Sequence, residues 1–155
     1  MTQGNQNLGD LGTIHIVLTK WCNLGCKGCN QSEEDRKDIN SNLKLNTNIK
    51  KEITNLFKLF TKENKRINVS FFGGEPLTQY KTIIEIIEWL GTEKLVPNQI
   101  SIPTSGGMNQ SLIKYVPDII NTIQKSFGPD EKPKFILSQS YDGVINAELR
   151  NTSKE

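Results

Sequence analysis

Short runs of β-branched and apolar residues alternate with helix-period stretches along this chain, and that alternation limits its fold more than any other feature. Thr13 to Thr19, Ile67 to Phe72, Gln99 to Pro103 and Lys134 to Ser140 each read as a strand, the first of them as a buried one. Between the first two, Ile49, Ile53, Leu56, Phe57 and Phe60 recur at spacings of three and four, the period of an amphipathic helix. Between the second and third, a helix is expected from about Tyr80 to Leu90, with Ile83, Ile84, Ile86, Ile87 and Leu90 turned inward. A last helix spans Gln110 to Phe127, interrupted or kinked near Pro117, because proline lacks the N–H and clashes with the preceding turn. Strands alternating with helices in this way imply an α/β fold of about four βα units on a parallel sheet. Its crossovers would curl toward a barrel or lie as an open doubly wound layer. In either case function belongs at the C-terminal strand ends.

At 155 residues the chain has the length of one domain that can bury a core without disulfides. Residues 1–12 are polar and Gly-rich and read as a flexible arm, leaving 13–155 as the domain, and 31–46 read as a solvated loop or short helix. The 19 basic and 17 acidic side chains nearly cancel and are spread over the length, which argues against nucleic-acid or membrane-surface partners. No run approaches the roughly 20 apolar residues of a membrane span, and the N-terminus lacks a basic-then-apolar signal, so a soluble cytoplasmic protein is expected.

Each distinctive motif falls where a strand ends. Cys22-Asn23-Leu24-Gly25-Cys26-Lys27-Gly28-Cys29 follows the first strand and Gly73-Gly74-Glu75-Pro76 the second. Thr104-Ser105-Gly106 follows the third, and Ser140-Tyr141-Asp142-Gly143 closes the fourth. Three cysteines within eight residues make a poor disulfide framework, since such close neighbours form strained loops and leave one thiol over. Their C-x3-C-x2-C spacing lets one tight loop present three thiolates to three corners of a cubane. A cluster that only carries electrons generally has four cysteine ligands, so a missing ligand points to an open iron. Two other readings compete: thiols with no ligand role, and a structural zinc completed to Cys3His by His15, the chain's single histidine.

With both motifs in order, the sequence resembles the radical SAM superfamily, whose C-x3-C-x2-C motif stands at Cys22, Cys26 and Cys29 and whose Gly-Gly-Glu-Pro motif stands at Gly73 to Pro76. The resemblance implies a partial TIM barrel of the radical SAM type, a 4Fe-4S cluster, and S-adenosylmethionine bound to the unique iron. Reductive cleavage would then yield a 5′-deoxyadenosyl radical that takes hydrogen from a substrate. It further implies that Gly73 and Gly74 let the backbone approach the methionyl ammonium, that Glu75 supplies a carboxylate or carbonyl near it, and that Pro76 fixes the turn. Arg150 would pair with the methionyl carboxylate, with Thr104 and Ser140 as hydroxyl partners. Gly28 stands where the family often carries an aromatic residue near adenine, leaving that contact to the backbone or to another ring, of which Trp21, Phe72 and Tyr141 are available.

Ser140-Tyr141-Asp142-Gly143 and Arg150 are similar to features of peptide-modifying members, whereas the length resembles the short activases that make a glycyl radical in anaerobic ribonucleotide reductase. About four βα units, where the family has about six, imply a fragment or a minimal member completed by a partner or a dimer. The expected partners are therefore an electron donor such as flavodoxin or ferredoxin, a substrate that is peptide or protein, and that completing partner.

Overall fold

The structure is a computed structural model and describes residues 11–24, 26, 29–105 and 110–139. Four strands, β1 (Leu11–Thr19), β2 (Arg66–Gly73), β3 (Gln99–Thr104) and β4 (Lys134–Gln139), form one sheet in the order β1-β2-β3-β4, and every neighbouring pair is parallel. Between them lie α1 (Glu33–Lys37), α2 (Thr47–Lys62), α3 (Tyr80–Thr92), α4 (Gln110–Ile113) and α5 (Val116–Ser126), with 3-10 turns at Ile39–Ser41 and Pro76–Gln79. The α/β alternation expected from the sequence is therefore present, strand by strand.

Local chemistry sets the helix limits. The Asn46 side chain caps α2 by accepting from the Asn48 and Ile49 N–H groups. Asn64 turns the chain out of α2 with φ of 54°, a left-handed conformation that asparagine tolerates better than most residues. Of the interruption or kink expected near Pro117, the structure shows the interruption. The chain leaves helix at Ile113 and resumes at Val116, so that Pro117 sits in the first turn of α5, where its missing N–H costs nothing.

The expectation of a buried first strand is corrected. β1 alternates, with Ile14, Ile16 and Leu18 buried and Thr13, His15 and Val17 exposed. A fully buried strand needs cover on both faces, and the described helices cover only one. Ile53 and Phe57 of α2, Ile83, Ile86, Ile87 and Leu90 of α3, and Ile119 and Ile123 of α5 join the inward residues of β1, β2 and β3 in a single core. The opposite face carries Val17 and Phe72, neighbours in register and about half exposed. Helices on one side only, among the described residues, are compatible with part of a barrel and do not make the two helical layers of a doubly wound sheet.

Strand β1 also begins earlier than expected. Leu11 and Gly12, read as the end of the arm, pair with Arg66 and Ile67, and the Phe60 ring packs where a side chain at Gly12 would lie. Gly91 likewise lets α3 meet α5, since a Cβ there would come within 2.5 Å of the Ser126 carbonyl oxygen. Parallel pairing in this order brings the C-terminal ends of all four strands to one edge of the sheet.

Candidate functional site

The cysteine loop leaves β1 at that edge and is tied down on both sides of its root. Thr19, fully buried, donates through Oγ1 to Asn42 Oδ1 at 2.8 Å and accepts from the Trp21 N–H at 3.0 Å. The Lys20 N–H donates to Ser41 Oγ at 2.8 Å, and the Cys22 N–H to the Arg36 carbonyl at 2.9 Å. Arg36 returns a bond from Nη1 to the Cys26 carbonyl at 3.3 Å, and the exposed Lys20 and Asp35 form a 2.9 Å ion pair. The segment expected to be a solvated loop or short helix does hold the short helix α1, and it serves as the clamp of the cysteine loop. Its local signals are two caps: Ser32 accepts from the Asp35 N–H at 3.0 Å at the start of α1, and Asp38 Oδ1 from the Asn40 N–H at 2.9 Å at the 3-10 turn.

The second motif packs directly against this root. Gly74 donates its N–H to the Thr19 carbonyl at 2.8 Å and Glu75 its N–H to the Trp21 carbonyl at 3.0 Å. A Cβ on Gly73, whose φ is +143°, would collide with the Thr19 carbonyl, and one on Gly74 would collide with the Lys20 and Trp21 carbonyls. Both positions therefore need glycine for the close approach of two strand ends, and Gly73 needs it also for its backbone conformation. The Glu75 carboxylate then reaches the end of β3. Its Oε1 accepts from Thr104 Oγ1 at 2.8 Å and the Leu77 N–H at 3.2 Å. Its Oε2 accepts from Ser105 Oγ at 2.7 Å and the Ser105 N–H at 3.0 Å. Pro76, buried, opens the 3-10 turn that leads into α3.

Of the residues singled out from the sequence, the structure gathers Cys22, Gly73, Gly74, Glu75, Pro76 and Thr104 around the ends of β1, β2 and β3, with Cys26 and Cys29 on the same loop. Thr104 is engaged with Glu75. Gly28, Ser140, Tyr141, Asp142, Gly143 and Arg150 lie outside the described residues. Ser105 was not expected to have a role of its own. The polarity of its turn was visible, but its partner is 30 residues away and no local pattern marks it.

Burial pushes the Cys22 thiol above the ordinary range, the negative charges of Glu75, Cys26 and Cys29 add to that, and the Leu24 N–H directed at Sγ partly offsets it. A thiol in this setting keeps its proton until a metal displaces it, and ligation deprotonates such a group outright. Cys22 and Cys26 are half-buried and Cys29 is exposed, so the loop grades from protein to solvent along its length.

The donor set fits an iron-sulfur cluster better than one zinc ion. Zinc needs four donors within about 2.3 Å of a single point. His15 is exposed on the helix-free face, its ring edge-on to Phe72 at 6.3 Å, and lies four residues, roughly 13 Å, before the end of β1. A cubane takes each thiolate on a different iron, so its ligands need only surround it.

Residues 9–128 match the family model of the 4Fe-4S single cluster domain. The chain belongs to that family. It is also 28% identical over 107 residues to the radical SAM cyclopropyl synthase TigE of Paramaledivibacter caminithermalis, an alignment that covers 61% of this chain and 22% of that protein. The chain is thus a 4Fe-4S domain protein of the radical SAM type, and it spans about a fifth of the length of the curated relative it matches. No solved structure matches it. Within this 4Fe-4S domain the cysteines available as ligands are Cys22, Cys26 and Cys29, the only three in the sequence. No helix among the described residues is long and apolar enough to cross a membrane.

Proposed function

We propose that this 4Fe-4S domain holds its cluster through Cys22, Cys26 and Cys29 and uses it to cleave S-adenosylmethionine reductively, for hydrogen abstraction from a substrate of the peptide class. The cluster would supply one electron and an open iron that chelates the methionyl amino and carboxylate groups. The protein supplies placement. The observation that carries this reading is the pair of hydrogen bonds from Gly74 and Glu75 to the Thr19 and Trp21 carbonyls, which presses the second motif onto the root of the first.

Several finer roles belong to the same reading. The Gly73-Gly74 turn would present main-chain oxygens to the methionyl ammonium, and Arg150 and Ser140 would receive its carboxylate. The helix-free sheet face, bearing Val17 and Phe72 at its cysteine end, would be the inner wall of a partial radical SAM barrel. Further βα units of a partner or a second copy would close it, and a flavodoxin or ferredoxin would deliver the electron. Similarity to a cyclopropyl synthase supports carbon-centred radical chemistry, and the Ser140-to-Gly143 motif supports a peptide substrate.

Anaerobic reconstitution with iron and sulfide, followed by dithionite and S-adenosylmethionine, tests the proposal. 5′-Deoxyadenosine should form with the native chain and not with Cys26→Ala. Its absence from a reconstituted chain that holds four irons would overturn the assignment.

A further inference from the structure

The Glu75 side chain is 1% exposed, and its acceptor capacity is full. A carboxylate offers about four lone-pair sites. Here Leu77 N–H and Thr104 Oγ1 take those of Oε1, and the Ser105 N–H and Oγ take those of Oε2. The main chain of the same residue points elsewhere. Its N–H binds the Trp21 carbonyl, and its carbonyl accepts from the Thr78 N–H at 3.1 Å and Thr78 Oγ1 at 2.7 Å. One residue thereby ties the end of β3 through its side chain to the root of the cysteine loop through its backbone.

We infer that Glu75 is a positioning residue and that Ser105, through Glu75, sets the placement of the cysteine loop. Of the two roles that the family resemblance implies for Glu75, a carboxylate or a carbonyl near the methionyl ammonium, this departs from the first, because four donors already occupy the carboxylate. It rests on the cysteine loop being the cluster site.

The arrangement demands a carboxylate rather than an amide. Each oxygen faces a main-chain N–H, Leu77 on one side and Ser105 on the other. Glutamine in either orientation would set its NH2 against one of these donors. Hydroxyls can rotate to accept, but main-chain donors cannot. Glu75→Gln is therefore a disruptive change here even before any ligand binds, and loss of activity in that variant would not by itself report loss of a cofactor contact.

Ser105→Ala gives the cleaner test, because it keeps the Glu75 charge and the Ser105 N–H and removes one hydroxyl donor. The experiment follows alkylation of Cys22 by iodoacetamide in the full-length chain without metal, read by mass spectrometry. It also measures the iron kept after reconstitution and gel filtration. Ser105→Ala should speed Cys22 alkylation on the order of ten- to a hundredfold, the factor that one lost hydrogen bond to a charged group gives to a local opening equilibrium. It should also lower the iron retained, and Ser105→Thr, which keeps the hydroxyl, should restore both. Ile123→Val, a core change on α5, serves as control for general destabilisation.

If Ser105→Ala alkylates at the native rate, or no faster than Ile123→Val, the inference is wrong. A native chain that takes up no iron would instead overturn the cluster reading, and the alkylation rates, measured without metal, would still decide the role of Ser105.

Discussion

Replacing Gly74 by alanine puts a methyl group where the two strand ends touch. Its Cβ would collide with the Trp21 carbonyl oxygen and lie 2.5 Å from the Lys20 carbonyl oxygen and 2.6 Å from the Trp21 carbonyl carbon. All three are main-chain atoms, so no flexible side chain can swing aside, and the ends of β1 and β2 must part. Parting them breaks the Gly74-to-Thr19 and Glu75-to-Trp21 hydrogen bonds. Two such bonds are worth about 0.5–1.5 kcal/mol each. Overpacking adds about 1–3 kcal/mol, so the cost is about 2–6 kcal/mol. For a domain of this size each kcal/mol moves the midpoint by about 2–4 °C, so thermal unfolding of the metal-free chain should fall by about 4–24 °C. Gly128→Ala is the control: nothing lies within 4 Å of a Cβ there, and the change should stay within about 0.5 kcal/mol. Circular dichroism melts of the two variants beside the native chain decide the matter. A Gly74→Ala protein that melts with the native chain and takes up the native amount of iron would refute the reasoning.

In the metal-free chain Cys29, exposed, should alkylate before Cys22, whose thiol burial pushes up, so Cys22 should need a higher pH than an ordinary thiol to reach its full rate; mass spectrometry across a pH series would show the reverse order if the loop is placed otherwise. Thr19→Val removes a buried hydroxyl that donates to Asn42 and accepts from Trp21, and should cost about 1–3 kcal/mol in urea unfolding; an unchanged midpoint would mean that the clamp does not hold the loop. Phe57→Ala should cost about 3–5 kcal/mol, whereas Phe72→Ala, on the open face, should cost less than about 1 kcal/mol; equal losses would contradict a core on one side of the sheet.

The sequence was most informative where structure is local and periodic. Of the helix-period residues Ile49, Ile53, Leu56, Phe57 and Phe60, all but Leu56 form the inward stripe of α2, Leu56 lying exposed at its edge, and all four β-branched runs are strands. It was least informative where the deciding contact joins distant segments. Val17 is as β-branched as Ile16, so nothing in its own run says that one faces helices and the other does not. The polarity of residues 31–46 looked like solvation, yet the Arg36 carbonyl, Ser41 and Asn42 spend that polarity on the root of the cysteine loop. Gly73 and Gly74 were recognisable as a motif. The close approach seen in the structure is to the Thr19-to-Trp21 backbone, a neighbour more than 50 residues earlier in the chain. Glu75 could be picked out by its motif, but the donors that fill its carboxylate, Thr104 and Ser105, could not be assigned to it without the fold.

The central claim is a cluster held by Cys22, Cys26 and Cys29 that leaves one iron open beside the Gly73-Gly74 turn. Mössbauer spectra of the chain reconstituted with 57Fe, recorded with and without S-adenosylmethionine, test it most directly. One iron of the four should change its spectrum when S-adenosylmethionine is added while the other three keep theirs. Four irons that stay equivalent with and without it, or a chain that holds zinc in place of iron, would contradict the account.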